Sequence, residues 1–292
     1  MDKTILRLYL IIVVSLILAV VCLPMIVGRT SAWAQEKATE VRLLISRTGT
    51  DSNPRRLNKN KGNVVIVMDD AWETQYTKGY PTLERYNMKA SIAVPPAFIG
   101  APGYMDYAQL AELYLKGWDL LNHTFDHEIL ENLPRDKQEE QVLKAREWLA
   151  SHLLDRGKDI LVFPDGMFSR ETLDILKAQG FVAARSLKSL WSASEDSTFE
   201  DVDICNLISD IPLGTAKAAV NKAKNNHSTV IFVLHKIEPV TDNSQMQLEY
   251  GKFLALVEYI DSKKKQLNVL TMTELIELES KAGKRISSKA GG

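Results

Sequence analysis

From Asn63 to Met272 the chain repeats one pattern: a short β-branched or apolar run, followed by an amphipathic stretch of helical period. The runs are NVVIVM (63–68), ASIAV (90–94), WDLL (118–121), ILVF (160–163), FVAA (181–184), TVIFVL (229–234) and NVLTM (268–272). Helical spacing of apolar residues falls between them, at Asp106–Lys116, Arg135–Leu154, Arg170–Gln179, Thr215–Asn225 and Gln247–Lys263. Ser169 and Gly180 are placed to cap the third of these. Such alternation predicts a parallel sheet with helical crossovers. Runs as continuously apolar as VVIVM and TVIFVL suit strands buried on both faces. A closed or nearly closed (β/α) barrel and an open doubly wound sheet both satisfy this pattern. No GxGxxG follows any of the runs, which counts against a dinucleotide site.

The two ends differ from this body. Lys3 and Arg7 precede the apolar run Leu8–Val27, and small residues stand at Ala32 and Ala34. This is the layout of a secretory signal peptide, residues 1–34, cut before Gln35. The run is also long enough to span a bilayer, so an uncleaved N-terminal anchor is the alternative, although Pro24 and Gly28 favour cleavage. Either way the remainder is expected to be exported: periplasmic, secreted, or held at the outer face of the membrane. Membrane contact is expected only if the segment is uncleaved. Residues 35–61 read as a polar, basic linker, with one possible strand at 41–45. The domain is expected over 62–280, and the small, basic tail 281–292 is expected to be flexible.

Charge and cysteine content exclude some classes. The formal net charge of the 292 residues is −1, so nucleic-acid binding has no electrostatic footprint. Removal of residues 1–34 would leave Cys205 as the sole cysteine, so no intramolecular disulfide supports the fold. Cys205 lies in VDICNLI and reads as a buried packing residue.

The polar residues of catalytic type sit at one kind of place. Asp69 and Asp70 end NVVIVM, Asn122 and His123 follow WDLL, Pro164-Asp165-Gly166 follow ILVF, and His235 ends TVIFVL. In α/β barrels and open α/β sheets, the carboxyl ends of the strands are where active sites are built. Each feature alone has a plainer reading. Asp69-Asp70 could cap a turn, His123 and His127 could flank a helix start, and His235 could be a satisfied core histidine. If 123–127 were helical, the two histidines would share a face. Two imidazoles with one carboxylate suit a catalytic zinc site that keeps an open position.

In order and spacing these residues resemble the NodB-homology polysaccharide deacetylases, carbohydrate esterase family 4. MDD at Met68–Asp70 is similar to that family's first motif, and HTFDH at His123–His127 to its H-(S/T)-x-x-H. FPDG at Phe163–Gly166 resembles its Pro-x-Gly turn, and VLH at Val233–His235 its late Leu-x-His, with Val for Leu. The resemblance extends from about Asn63 to Glu279. It implies a distorted (β/α) barrel forming a single domain. It also implies metal-dependent removal of N-acetyl groups from an N-acetylglucosamine-containing polysaccharide.

On that resemblance Asp70, His123 and His127 would hold a divalent metal, most simply Zn2+. Asp69 would be the base and His235 the acid. The backbone N–H of Asp165 would face the oxyanion, and Trp191 and Val233 would line the acetyl pocket. Asp203 is a weaker candidate for the family's fourth motif. The sequence departs from the family where many members carry an Arg two residues before the third-motif proline and a Tyr after it. Val162 and Asp165 stand there instead. An aromatic before that proline, Phe163, is closer in style to exported poly-N-acetylglucosamine deacetylases. The missing Arg leaves Asp69 without its usual cation, and Arg185 is the candidate substitute. Peptidoglycan, chitin oligomers or a small amide remain alternative substrates, and a catalytically silent carbohydrate-binding protein of the same fold is the alternative class.

Overall fold

The computed structural model describes residues 60–242 and 246–289, with 39 and 58, and side chains as far as 280. The chain divides into Met1–Gly49 and Thr50–Gly292, and everything below belongs to the second unit. The expected signal peptide lies outside the described residues, as do nearly all of the linker and its possible strand.

Within this unit, β1 (Gly62–Met68), β2 (Ser91–Val94), β3 (Asp119–Asn122), β4 (Ile160–Val162) and β5 (Ala183–Arg185) follow one another in the sheet. On the other side of β1 lie β9 (Thr229–Leu234) and then β8 (Val202–Asn206). All these neighbours are parallel. The short β6 (Leu190–Ser192) and β7 (Ser197–Thr198) extend the β5 edge in antiparallel fashion. Near the C-terminus β12 (Leu267–Leu270) pairs with the first half of β1. Crossovers are made by α1 (Tyr80–Arg85), α2 (Tyr107–Leu115), α3 (Arg135–Ser151), α4 (Arg170–Ala178), α5 (Leu213–Asn226) and α6 (Tyr250–Ser262). The chain ends in α7 (Met272–Lys289), and β10 (Lys236–Glu238) and β11 (Gln247–Glu249) form a separate pair.

Side-chain alternation gives the sheet two apolar faces. Val65 and Val67, Ala93, Leu121, Ile160 and Val162, Ala183, and Ile231 and Val233 share one core. Val202 and Ile204, at the far edge, pack on that same core. The sheet therefore curls around a common interior as in a distorted (β/α) barrel, although hydrogen bonds among the described residues do not close its edges. The other face carries Leu161, Phe163 and Ala184 against Val142, Leu173 and Leu176 of α3 and α4.

One end of the interior is filled by α7, through Leu275 and Leu278. Thr271 and Glu274 exchange capping bonds there, and the helix start is held by the first residues of two strands. Met272 N–H donates to Ser91 Oγ at 2.9 Å and Thr273 N–H to Asp119 Oδ2 at 2.7 Å. Burial pushes the Asp119 carboxyl up, against the pull of the Thr273 N–H and of Arg156. The folded chain thus holds that proton more tightly than the unfolded chain. From the ordinary carboxylate range up to the raised folded value, unfolding free energy should fall as pH rises. Urea denaturation across pH tests this: Asp119→Asn should flatten that slope, and Asp119→Ala should cost about 1–3 kcal/mol by orphaning the Thr273 N–H.

Several elements differ from expectation. Strands β6 and β7 are too short to show a period, and β8 (VDICN) carries polar residues because only one neighbour covers it. For the same reason Cys205 is half-buried rather than buried, with its thiol pushed up by partial burial. The stretch expected to be helical from Gln247 begins as β11, and α6 starts at Tyr250. The C-terminal helix continues through Lys289, past the expected boundary at 280. SKAGKRISSK contains no proline to stop it and several good helix formers.

Candidate active site

Register and alternation together assemble the site. Met68 pairs with Leu234, so Asp69 and His235 emerge side by side, and Asp69 N–H donates to Leu234 O at 2.9 Å. The inward series 65, 67 of β1 continues to Asp69, and 231, 233 of β9 to His235. By the same alternation Leu121 is followed by His123, Ala183 by Arg185, and Ile204 by Asn206. An apolar interior is thereby topped, at the carboxyl ends of its strands, by a polar layer.

Asp70 Oδ1 lies 3.3 Å from His123 Nε2 and 3.3 Å from His127 Nε2. These three ligand atoms lie within 4.8 Å of one another. The stretch between the histidines is not helical. It is a loop in which Thr124 and His127 adopt φ of 59° and 65°, following Asp70 and Ala71 at 75° and 58° in the neighbouring loop. Left-handed backbone at non-glycine residues is strained and persists where its surroundings enforce it. Here Asn122 Oδ1 accepts from Thr124 N–H at 3.1 Å, and Gln141 Oε1 accepts from Phe125 N–H at 2.9 Å.

The donor set fits a divalent cation. His123 Nδ1 lies 2.7 Å from Val162 O, and a carbonyl only accepts, so a proton is on Nδ1, and the ring in its neutral form offers a lone pair at Nε2. Asp70 Oδ1 is buried and has no hydrogen-bond donor among the described residues. Burial raises the Asp70 carboxyl, but the His123 and His127 imidazoles beside it, with the charge of His235, outweigh it. The result is a carboxyl well below the usual range. For His127, burial lowers the ring, but the Asp70 carboxylate beside it raises it overall. A carboxylate and two imidazoles converging in a buried site need a positive charge between them. A cation supplies it as well as protons do.

Asp69, 3 % exposed, is engaged by a fully buried cation. Arg185 Nη2 lies 2.6 Å from both Asp69 oxygens, while Val162, at the position of the family's Arg, is part of the apolar core. Gln75, also buried, ties the two strand ends together by donating to Asp69 O at 2.5 Å and His235 O at 3.2 Å. His235 Nε2 stands 3.9 Å from Asp70 Oδ2, on the same side as the cluster.

Asp69, His123, His127 and His235 face a cavity of about 240 Å³. Its polar lining includes Asp69, His123, His127, Asp165, Asn206 and His235, and its apolar lining is Phe163, Leu187, Ile208, Val233 and Met246. Asp165 enters it from a tight turn at φ 52°. Gly166 closes that turn at φ 71°, where a Cβ would come within 2.7 Å of the Leu187 backbone nitrogen. Trp191 does not line the cavity. It faces the helices, packed with Phe163 and Leu173, because β6 alternates with Leu190 inward and Trp191 outward. Asp203 is also elsewhere, 2.8 Å from Lys222 Nζ on the exposed side of β8. Leu187, Ile208 and Met246 belong to irregular segments and Asn206 ends β8, whose polar residues hide it, so none of the four stands out in the sequence.

Residues 56–184 match the family model for polysaccharide deacetylase. Over that span the chain matches a polysaccharide deacetylase domain. The matched part of the deacetylase domain contains the Asp pair, both loop histidines and the Pro-x-Gly turn, and stops before His235. A Bacillus subtilis (strain 168) protein bearing the name polysaccharide deacetylase YxkH is 28% identical over 118 residues, 40% of this chain. The match covers 42% of that relative's own length. A Mycobacterium smegmatis structure described as a polysaccharide deacetylase is 13% identical, covering 79% of this chain and 94% of that one at a TM-score of 0.56. A family 4 acetyl xylan esterase from Clostridium thermocellum, solved with a cobalt ion, is 14% identical, covering 75% and 92% at a TM-score of 0.51. These likenesses establish the α/β fold of the carbohydrate esterase family 4 deacetylases.

Proposed function

We propose that this deacetylase domain removes N-acetyl groups from an N-acetylglucosamine-containing polysaccharide outside the cytoplasm, with zinc as its native cation. The reading is carried by one observation: the two histidines of the Asp70–His123–His127 cluster and an Arg185-bound Asp69 line one cavity with His235. A divalent ion held by Asp70, His123 and His127 would supply Lewis acidity, acidifying water and polarising an amide carbonyl.

The remaining work falls to the chain's own side chains. Asp69, fixed by Arg185, takes the proton of the attacking water as its oxygen bonds to the acetamide carbon. The backbone N–H of Asp165 faces the developing oxyanion. His235, protonated, gives its proton to the sugar nitrogen as the carbon–nitrogen bond breaks. Water and amide thus become acetate and a free amine. Val233, with Leu187, Ile208 and Met246, gives the acetyl methyl an apolar wall.

Acetate release across a substrate panel tests the reading. N-acetylglucosamine oligomers should be turned over in preference to O-acetylated xylan, and peptidoglycan should fall behind the unmodified polymer. Faster release from the acetyl xylan would move the assignment to an esterase. Saccharide binding with no release on any substrate would favour a silent binding module.

A further inference from the structure

The indole of Trp72 touches the cation cluster but takes no part in the steps above. Its Nε1–H donates to Asp70 Oδ2 at 2.9 Å, which leaves Oδ1, free of a donor among the described residues, as the oxygen facing His123 and His127. A carboxylate without that bond can turn about its Cβ–Cγ axis and offer either oxygen or both.

The ring is itself held in place. It stacks on Tyr104 with centroids 4.2 Å apart, and Lys236 Nζ lies 3.9 Å from its centroid. The backbone is tied at the same point by an antiparallel bridge between Trp72 and Tyr104. Met105 N–H donates to Ala71 O at 2.8 Å and Glu73 N–H to Gly103 O at 2.9 Å. The row continues from Tyr104 to Phe98, with centroids 4.9 Å apart, and from Phe98 to His127, stacked at 6.3 Å. One line of rings therefore reaches two of the three ligands, Asp70 through a hydrogen bond and His127 through a face.

We propose that Trp72 is a positioning residue for the cation, holding Asp70 Oδ2 so that Oδ1 is presented between the two imidazoles. The inference rests on the cation site argued above. Partners behind metal ligands commonly set affinity by about 10–100-fold.

Zinc affinity, read by competition with a chromophoric chelator, is the test. Trp72→Phe keeps a stacked ring at a half-exposed position and removes the N–H. It should weaken zinc binding by about 10–100-fold while the metal-free urea midpoint stays near the wild-type value. Trp72→Gln, whose amide can donate in place of the indole, should bind zinc more tightly than Trp72→Phe. A purely structural role would do the reverse, lowering the metal-free midpoint and sparing the affinity. An unchanged affinity in Trp72→Phe overturns the proposal and leaves the cation site standing. A wild-type chain that binds no zinc overturns the cation site, and the proposal with it.

Discussion

Arg185→Met is expected to lower acetate release at least about a hundredfold and to destabilise the chain by about 3–5 kcal/mol. Both effects follow from one contact. The guanidinium is fully buried, and its Nη2 reaches both Asp69 oxygens at 2.6 Å. Methionine fills a similar volume but leaves a carboxylate inside the protein with no countercharge, the configuration that makes removal of one partner of a buried pair expensive. Arg185→Lys should recover part of each loss, because it returns a positive charge to the same buried side of Asp69. Asp69→Asn should abolish base catalysis, a loss of about 10²–10⁴-fold, while stranding the Arg185 charge. The two changes are coupled. In Asp69→Asn/Arg185→Met no buried charge is unpaired, so its urea midpoint should lie well above the sum of the single losses, with activity no better than Asp69→Asn. Additive stabilities would mean that the pair is not the energetic unit the geometry describes.

His123→Ala is the second large effect. Its ring is buried, fixed at Nδ1 by Val162 O at 2.7 Å, and directs Nε2 at Asp70 Oδ1. Alanine deletes one of three ligands and leaves Asp70 and His127 too few to retain a cation in competition with water. Bound metal should fall from about one per chain to near none, and acetate release should fall at least about a hundredfold, as for loss of a Lewis acid. His127→Ala should follow the same direction, with less disturbance of the fold because that ring is partly exposed. If His123→Ala kept its metal, the ligand assignment would be wrong even if activity were lost.

Much of this was legible because buried parallel strands write themselves as apolar runs. NVVIVM and TVIFVL are covered on both faces, so their lengths and ends could be read directly, and with them the places of Asp69, Asp70 and His235. The loop histidines were legible as a spacing but not as a shape. His123 and His127 converge through left-handed backbone, which their residue types do not announce. Trp191 was misplaced because its facing depends on the phase of a three-residue strand, and a three-residue strand shows no period. The Arg185–Asp69 contact joins positions 116 apart in sequence. Only the register between β1 and β5, passed through three intervening strands, brings them together. Gln75 and Trp72 look like ordinary residues of the turn after β1 until the partner carbonyls and carboxylate are seen.

Whether Asp70, His123 and His127 hold the cation of a deacetylase is decided by following metal content and acetate release together in the wild-type chain. An N-acetylglucosamine oligomer serves as substrate, before chelation, after chelation, and after stepwise return of Zn2+. Acetate release should disappear with the metal and return in proportion to it, saturating at about one ion per chain. Full activity in the metal-free chain would contradict a role for the cation.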